Sequence, residues 1–163
     1  MFRIFAYVSA LAVLAACGFQ PIYESRGTPG TQIIMASIEV GIIKDRQGQQ
    51  LRNFLLDRIN PRGTPQSPNY TLNVVLNSGK EFLAFRKSQF STRANLNFVA
   101  VFNLKGKNQY LGETFSGTSK ITVSYNILSS HFATLTAEKN ARTRAVKELS
   151  ADISNRIAAF VRH

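Results

Sequence analysis

Six cations in the middle of the chain, Arg86, Lys87, Arg93, Lys105, Lys107 and Lys120, are its best candidates for chemistry. Guanidinium and ammonium groups bind phosphates through charge-assisted hydrogen bonds, so the chemistry on offer is recognition of a phosphorylated ligand. The blander alternative is that lysines around a hairpin tip keep strand edges from pairing. Catalytic groups are scarce by comparison. His131 and His163 stand far apart, and no His/Cys spacing in the sequence fits a metal. There is no Gly-x-Ser-x-Gly elbow and no glycine-rich phosphate loop ending in Lys-Ser/Thr. The acidic residues are few, and Glu138, Glu148 and Asp152 sit among helical basic residues, so no carboxylate pair is nominated for acid–base work. The inventory predicts a binding protein with no enzymatic activity, no metal and no cofactor.

Cys17 is the other group with chemistry to offer, and it is the only cysteine. It follows a basic start at Arg3, an apolar run from Ile4 to Ala16, and the tripeptide Leu14-Ala15-Ala16. A charged start, a short apolar stretch and small residues at the cut make a secretory signal. With cysteine next, the segment resembles a lipobox, which implies removal of residues 1–16 and acylation of Cys17 as the new N-terminus of an envelope protein. A single-pass anchor and a buried thiol are the alternatives. The apolar run is shorter than the ~20 residues a spanning helix needs. More than one acyl chain is required for stable anchoring.

Composition sets the partners. The chain has 20 Lys and Arg against 9 Asp and Glu, and Arg3 is the only charge in the signal. The mature chain therefore carries a net charge of +10. Such an excess implies a polyanionic partner or surface. For an exported chain these are anionic lipid head groups, phosphorylated lipopolysaccharide or acidic barrel interiors, and nucleic acid is not expected. Solubility alone is the competing explanation. About 44% hydrophobic residues suffice for one packed domain.

The elements that would position these groups are legible in part. Residues 17–30 read as the acylated N-terminus and a tether, because two glycines and a proline fall within Gly27–Gly30. A single α+β domain over 31–163 follows. Thr31 to Val40 predicts a strand, and Gln47 to Asn60 a helix with Leu51, Phe54, Leu55 and Ile59 on one face. Asn60 to Pro68 is a loop. Tyr70, Leu72, Val74 and Leu76 alternate as a half-buried strand, and Phe82 to Phe90 is less regular. Leu96, Phe98, Ala100, Phe102 and Leu104 share one strand face, with Asn95, Asn97 and Asn103 on the other. Lys105 to Asn108 predicts a tight hairpin turn, and Tyr110 to Tyr125 the return strand. From Ser130 to Val161, Phe132, Leu135, Val146, Leu149, Ile153, Ile157 and Phe160 form an apolar helical stripe. That helix either covers the sheet or lies on a membrane surface, and sheet cover is the simpler reading. The order β-α-β-β-β-α predicts a two-layer sandwich, a small, mainly antiparallel sheet with two helices on one face.

Cys17-Gly18-Phe19-Gln20-Pro21-Ile22-Tyr23 resembles the start of mature LptE, the lipopolysaccharide-assembly lipoprotein family. The resemblance continues through Asp45-Arg46-x-Gly48-Gln49-x-Leu51-Arg52-Asn53, Tyr70-x-Leu72 and Ser124-Tyr125-Asn126. It ends in Phe132-Ala133 and Ala137-Glu138-x-x-Ala141-x-x-Arg144-Ala145. It implies a non-catalytic subunit that plugs the outer-membrane β-barrel LptD, assists its folding and binds lipopolysaccharide. It also implies that Gly18, rather than Asp, after the cysteine leaves outer-membrane sorting as the default. Arg93 falls at about the strand that the family's lipopolysaccharide-binding residues occupy. Lys105 and Lys107 join it here on electrostatic grounds. An envelope lipoprotein that binds another anionic polymer or protein complex is the alternative.

Overall fold

The computed structural model describes residues 29–83 and 93–162. In order, they form α1 (Pro29–Ala36), β1 (Ile38–Val40), α2 (Asp45–Ile59), β2 (Tyr70–Leu83), β3 (Arg93–Gly106), a 3-10 turn (Asn108–Tyr110), β4 (Thr114–Asn126) and α3 (His131–Phe160). The sheet order is β1-β2-β3-β4. β1 runs parallel to β2, with α2 as the crossover between them, and β2, β3 and β4 form an antiparallel meander. The fold is the expected α+β arrangement, with three helices among the described residues rather than two.

Alternation along β3 sets the two layers. Ala94, Leu96, Phe98, Ala100, Phe102 and Leu104 are at most 1% exposed, so one face of this strand is core along nearly its whole length. Opposite them α3 lays Ala141, Ala145, Leu149, Ile153 and Ile157, and α2 adds Leu51, Leu55 and Ile59. Full burial of each large apolar side chain is worth about 1.5–3 kcal/mol, so this interface dominates the stability of the domain. Ser130 caps α3, its side chain accepting from the Ala133 N–H. α2 ends at Asn60, whose side-chain amide donates to the Ala36 carbonyl at 3.2 Å and so ties α1 to α2.

Three expectations are corrected. Residues 31–36, read as the start of a strand, are helical, and only Ile38–Val40 pairs with the sheet. Proline in the first turn of a helix costs nothing, because its missing N–H has no partner there in any case. Pro29 is therefore compatible with α1. The tight turn expected at Lys105–Asn108 is longer: Lys105 and Gly106 still belong to β3, and the 3-10 turn and Gly112, with φ 102°, intervene before β4. Finally, Phe132 and Leu135, expected in the buried stripe, are 79% and 52% exposed. The cause is a mismatch of lengths. α3 spans about 45 Å and α2 about 22 Å at 1.5 Å per residue. Hydrogen bonds from Gln50 to Thr143 and from Arg58 to Ser150 place α2 beside the later part of α3. The first turns of α3 therefore have no companion helix.

Candidate functional site

The sheet has a helix-covered face and an open one. Arg93 and Lys105, at odd positions of the same strand, both belong to the open face, but twelve residues separate them. At ~3.4 Å per residue they lie on the order of 40 Å apart. The described candidate cations are thus spread along the sheet rather than gathered at one site: Arg93 at one end, Lys105 and Lys107 at the other, and Lys120 opposite Val99 midway along β4. Lys107 is occupied: its Nζ lies 2.9 Å from Glu39 Oε2, and its backbone N–H donates to the Asn69 carbonyl at 2.6 Å. It clamps the β3–β4 turn onto β1. Lys105 is exposed on the strand opposite Thr71 and Thr114, and Lys120 is exposed on β4. Arg86, Lys87 and Cys17 lie outside the described residues.

A charged cluster that the sequence reading did not single out joins α3 to the sheet at the Arg93 end. Lys80 Nζ and Glu138 Oε2 are 2.7 Å apart, the Tyr125 hydroxyl donates to the same oxygen at 2.8 Å, and Arg142 Nη2 meets Oε1 at 2.6 Å. Burial pushes the Glu138 carboxyl up, but hydrogen bonds from Lys80, Arg142 and Tyr125 and the Lys80 charge outweigh it and hold it at about 2. The Glu138 hydrogen bond raises Lys80 in turn. Lys80 also lies 4.9 Å from the Phe82 ring centroid and 5.4 Å from that of Tyr125. The spacing of Glu138 and Arg142, one helical turn apart, was the available sequence signal. The participation of Lys80 was not visible, because it depends on the β2–β3 register.

At the other end, burial and the Glu113 hydrogen bond at 2.8 Å push the Tyr70 phenol up, and its ring packs 4.9 Å from Tyr110. Between α2 and α3 runs a groove of about 480 Å³, lined by Arg46, Gln50, Asn53, Lys139 and Arg142 among others. Its amides and cations suit a hydrophilic anion, and they include no nucleophile held by a base. Among the described residues no three His, Cys, Asp or Glu side chains converge on a metal position. No described helix is long and apolar enough to cross a membrane.

The family model described as "LptE: Lipopolysaccharide-assembly" matches residues 35–159, most of the chain. The chain belongs to the LptE family. Solved structures share the LptE-like fold. A protein from Caulobacter crescentus CB15 described as a lipoprotein superposes with a TM-score of 0.64 at 21% identity, covering 81% of this chain and 95% of that one. Rare lipoprotein B from Shewanella oneidensis gives 0.59 at 11% identity, over 76% and 94%. A minor lipoprotein from Acinetobacter baumannii gives 0.54 at 18% identity, over 75% and 88%. A comparison with curated proteins finds no match. At these identities the three structures speak to the LptE fold alone.

Proposed function

We propose that this chain is the outer-membrane lipoprotein subunit of the lipopolysaccharide translocon. It plugs the LptD-type β-barrel, assists the barrel's assembly and binds lipopolysaccharide on its way to the cell surface. The observation that carries this reading is the match of residues 35–159 to the lipopolysaccharide-assembly family. Cys17 is the lipidation site and holds the chain on the periplasmic side of the outer membrane.

Lipopolysaccharide combines phosphates with acyl chains, so its best contact joins cations to exposed apolar side chains. Exposed apolar side chains stand at the Arg93 end, where Phe82 pairs with Ala94 on the helix-covered face and α3 begins with Phe132 and Leu135, while Arg93 itself belongs to the open face. Lys105 is the second contact. Lys107 is the third, and its ion pair with Glu39 competes with the ligand.

The test is affinity purification of the tagged full chain from outer membranes in mild detergent, with mass spectrometry of what accompanies it. A stoichiometric large β-barrel is the expected companion. Recovery of the chain without any barrel, under detergent conditions that preserve a control barrel complex, would overturn the reading.

A further inference from the structure

Glu138, near the start of α3, has donors from three elements on its two oxygens. Lys80 of β2 meets Oε2 at 2.7 Å and the Tyr125 hydroxyl of β4 donates to it at 2.8 Å. Arg142 of α3 grips Oε1 through Nη2 at 2.6 Å and Nε at 3.0 Å. The donors have supports of their own. Lys80 and Tyr125 occupy neighbouring rows of the helix-covered face, Lys80↔Leu96↔Val123 and Phe82↔Ala94↔Tyr125. The Lys80 ammonium also lies against the Phe82 and Tyr125 rings, 4.9 and 5.4 Å from their centroids. Glu138 has a way out. It lines the α2–α3 groove of about 480 Å³ beside Leu135, Lys139 and Arg142, and rotation of its side chain turns the carboxylate into that groove.

We infer that Glu138 is a built-in competitor: in the free chain it fills the oxyanion position of a receptor formed by Lys80, Arg142 and Tyr125, and a phosphorylated amphiphile binds there by displacing it. The inference rests on the lipopolysaccharide reading above for its ligand, and it adds the regulation of that contact. Charge favours the exchange. Two cations face a single carboxylate, whereas a phosphate monoester brings a charge of about −1.5 to −2 and three strong acceptor oxygens. Charge-assisted bonds to such oxygens are the strong kind. Apolar surface adjoins the receptor. Phe82, whose ring lies under the Lys80 ammonium, and Leu135, in the same groove as Glu138, are both more than half exposed. A proton does not open the receptor at neutral pH, because the Glu138 carboxyl is held at about 2. Only another anion takes its place. A simple staple of α3 to the sheet is the competing account, and on it the loss of Glu138 never strengthens binding.

Labelled lipopolysaccharide, the same material stripped of phosphate, and a short-chain phosphatidylglycerol are titrated in turn into the purified full chain. With the carboxylate turned out in about one free molecule in ten, Glu138→Gln should strengthen lipopolysaccharide binding roughly tenfold. Glu138→Asp keeps the charge but shortens its reach, and it should also strengthen binding, so the test survives misfolding of the glutamine variant. Asp152→Asn removes the same charge from the Arg156 pair further along α3 and should change binding by less than about twofold. Adding Lys80→Gln to Glu138→Gln should abolish the gain, and the phosphate-free material should show none. Equal effects of Glu138→Gln and Asp152→Asn would overturn the inference, as would weaker binding by both Glu138 variants. A gain with phosphatidylglycerol alone would uphold the receptor and assign its phosphate to a membrane head group. Binding of neither amphiphile by any variant is a different result, because it removes the lipopolysaccharide reading itself, and the inference with it.

Discussion

Glu138 holds two cations and a phenol on one carboxylate, and its acidity makes that cluster visible to pH. Its folded value of about 2 lies below the ordinary carboxylate value of 4.5. A depressed carboxyl contributes stability that is present above its unfolded value and is lost as pH falls through the folded one. The window is therefore roughly pH 5 down to pH 2. The side chain keeps 17% of its exposure and its Lys80 partner 31%. Solvent screening trims the contribution to about 1–2 kcal/mol. Glu138→Gln should lower the melting temperature at pH 7 by several degrees, since it leaves Lys80 and Arg142 without their counter-charge. The gap to the wild type should narrow as the pH is taken from 5 to 2.5. Parallel melting curves whose separation is constant with pH would show that the cluster does not titrate in this way. The cations of the open face call for a different readout. Arg93→Glu and Lys105→Glu should each weaken retention of labelled lipopolysaccharide by the purified chain severalfold. Lys107→Gln should change it less than Lys105→Glu does and cost under about 1 kcal/mol of stability, as half-exposed ion pairs do. Equal losses for Lys105 and Lys107 would mean that the ion pair with Glu39 does not withhold Lys107 from the ligand.

At the scale of elements, β4 lies against β3 at a distance that one glycine permits. A Cβ on Gly117 would sit 2.5 Å from Cζ of Phe102, a ring with no exposed surface and no room to swing. Gly117→Ala should therefore cost about 1–3 kcal/mol, the usual penalty for overfilling a packed core. Phe102→Leu costs something by itself, through the cavity it leaves. Combined with Gly117→Ala, it should cost less than the two singles together, by about 1 kcal/mol in urea unfolding. Strict additivity would locate the cost of the alanine elsewhere. The same strands show what the sequence could and could not disclose. Leu96, Phe98, Ala100, Phe102 and Leu104 announced β3 because every second position is apolar, and Asn95, Asn97 and Asn103 announced an uncovered face although Val99 and Val101 share it. α1 was hidden because Ile33 and Ile34 favour strands, while Pro29 and Gly30 discourage a helical reading although a helix start tolerates proline. The exposure of Phe132 and Leu135 was hidden for another reason: periodicity reports which side of α3 is apolar, but not how far α2 reaches along it. The separation of Arg93 from Lys105 was readable once both were placed on one strand, since strand rise alone sets that distance.

For the whole molecule the question is what holds it in the envelope. The described residues contain no helix able to span a bilayer. Two attachments remain on the present reading, the acyl group on Cys17 and the contact with the barrel. They are separable because, on the proposed reading, they act at different points: the acyl group at Cys17, upstream of α1, and the barrel contact on the domain that follows. Acyl anchoring follows hydrophobic transfer at ~0.8 kcal/mol per buried CH₂ and needs no protein partner. Barrel contact needs no lipid. Cys17→Ala should accordingly remain with the outer membrane while the barrel is produced normally, and should move to the soluble fraction when the barrel is depleted. The wild-type chain should stay with the membrane in both conditions and incorporate labelled palmitate, which the variant should not. Release of the variant despite abundant barrel would make the acyl group the sole attachment and would count against the plug. Retention of the variant in barrel-depleted cells would mean that another part of the chain binds the membrane, either the apolar run Ile4–Ala16 left uncut without the lipobox cysteine or the basic domain on anionic lipid head groups.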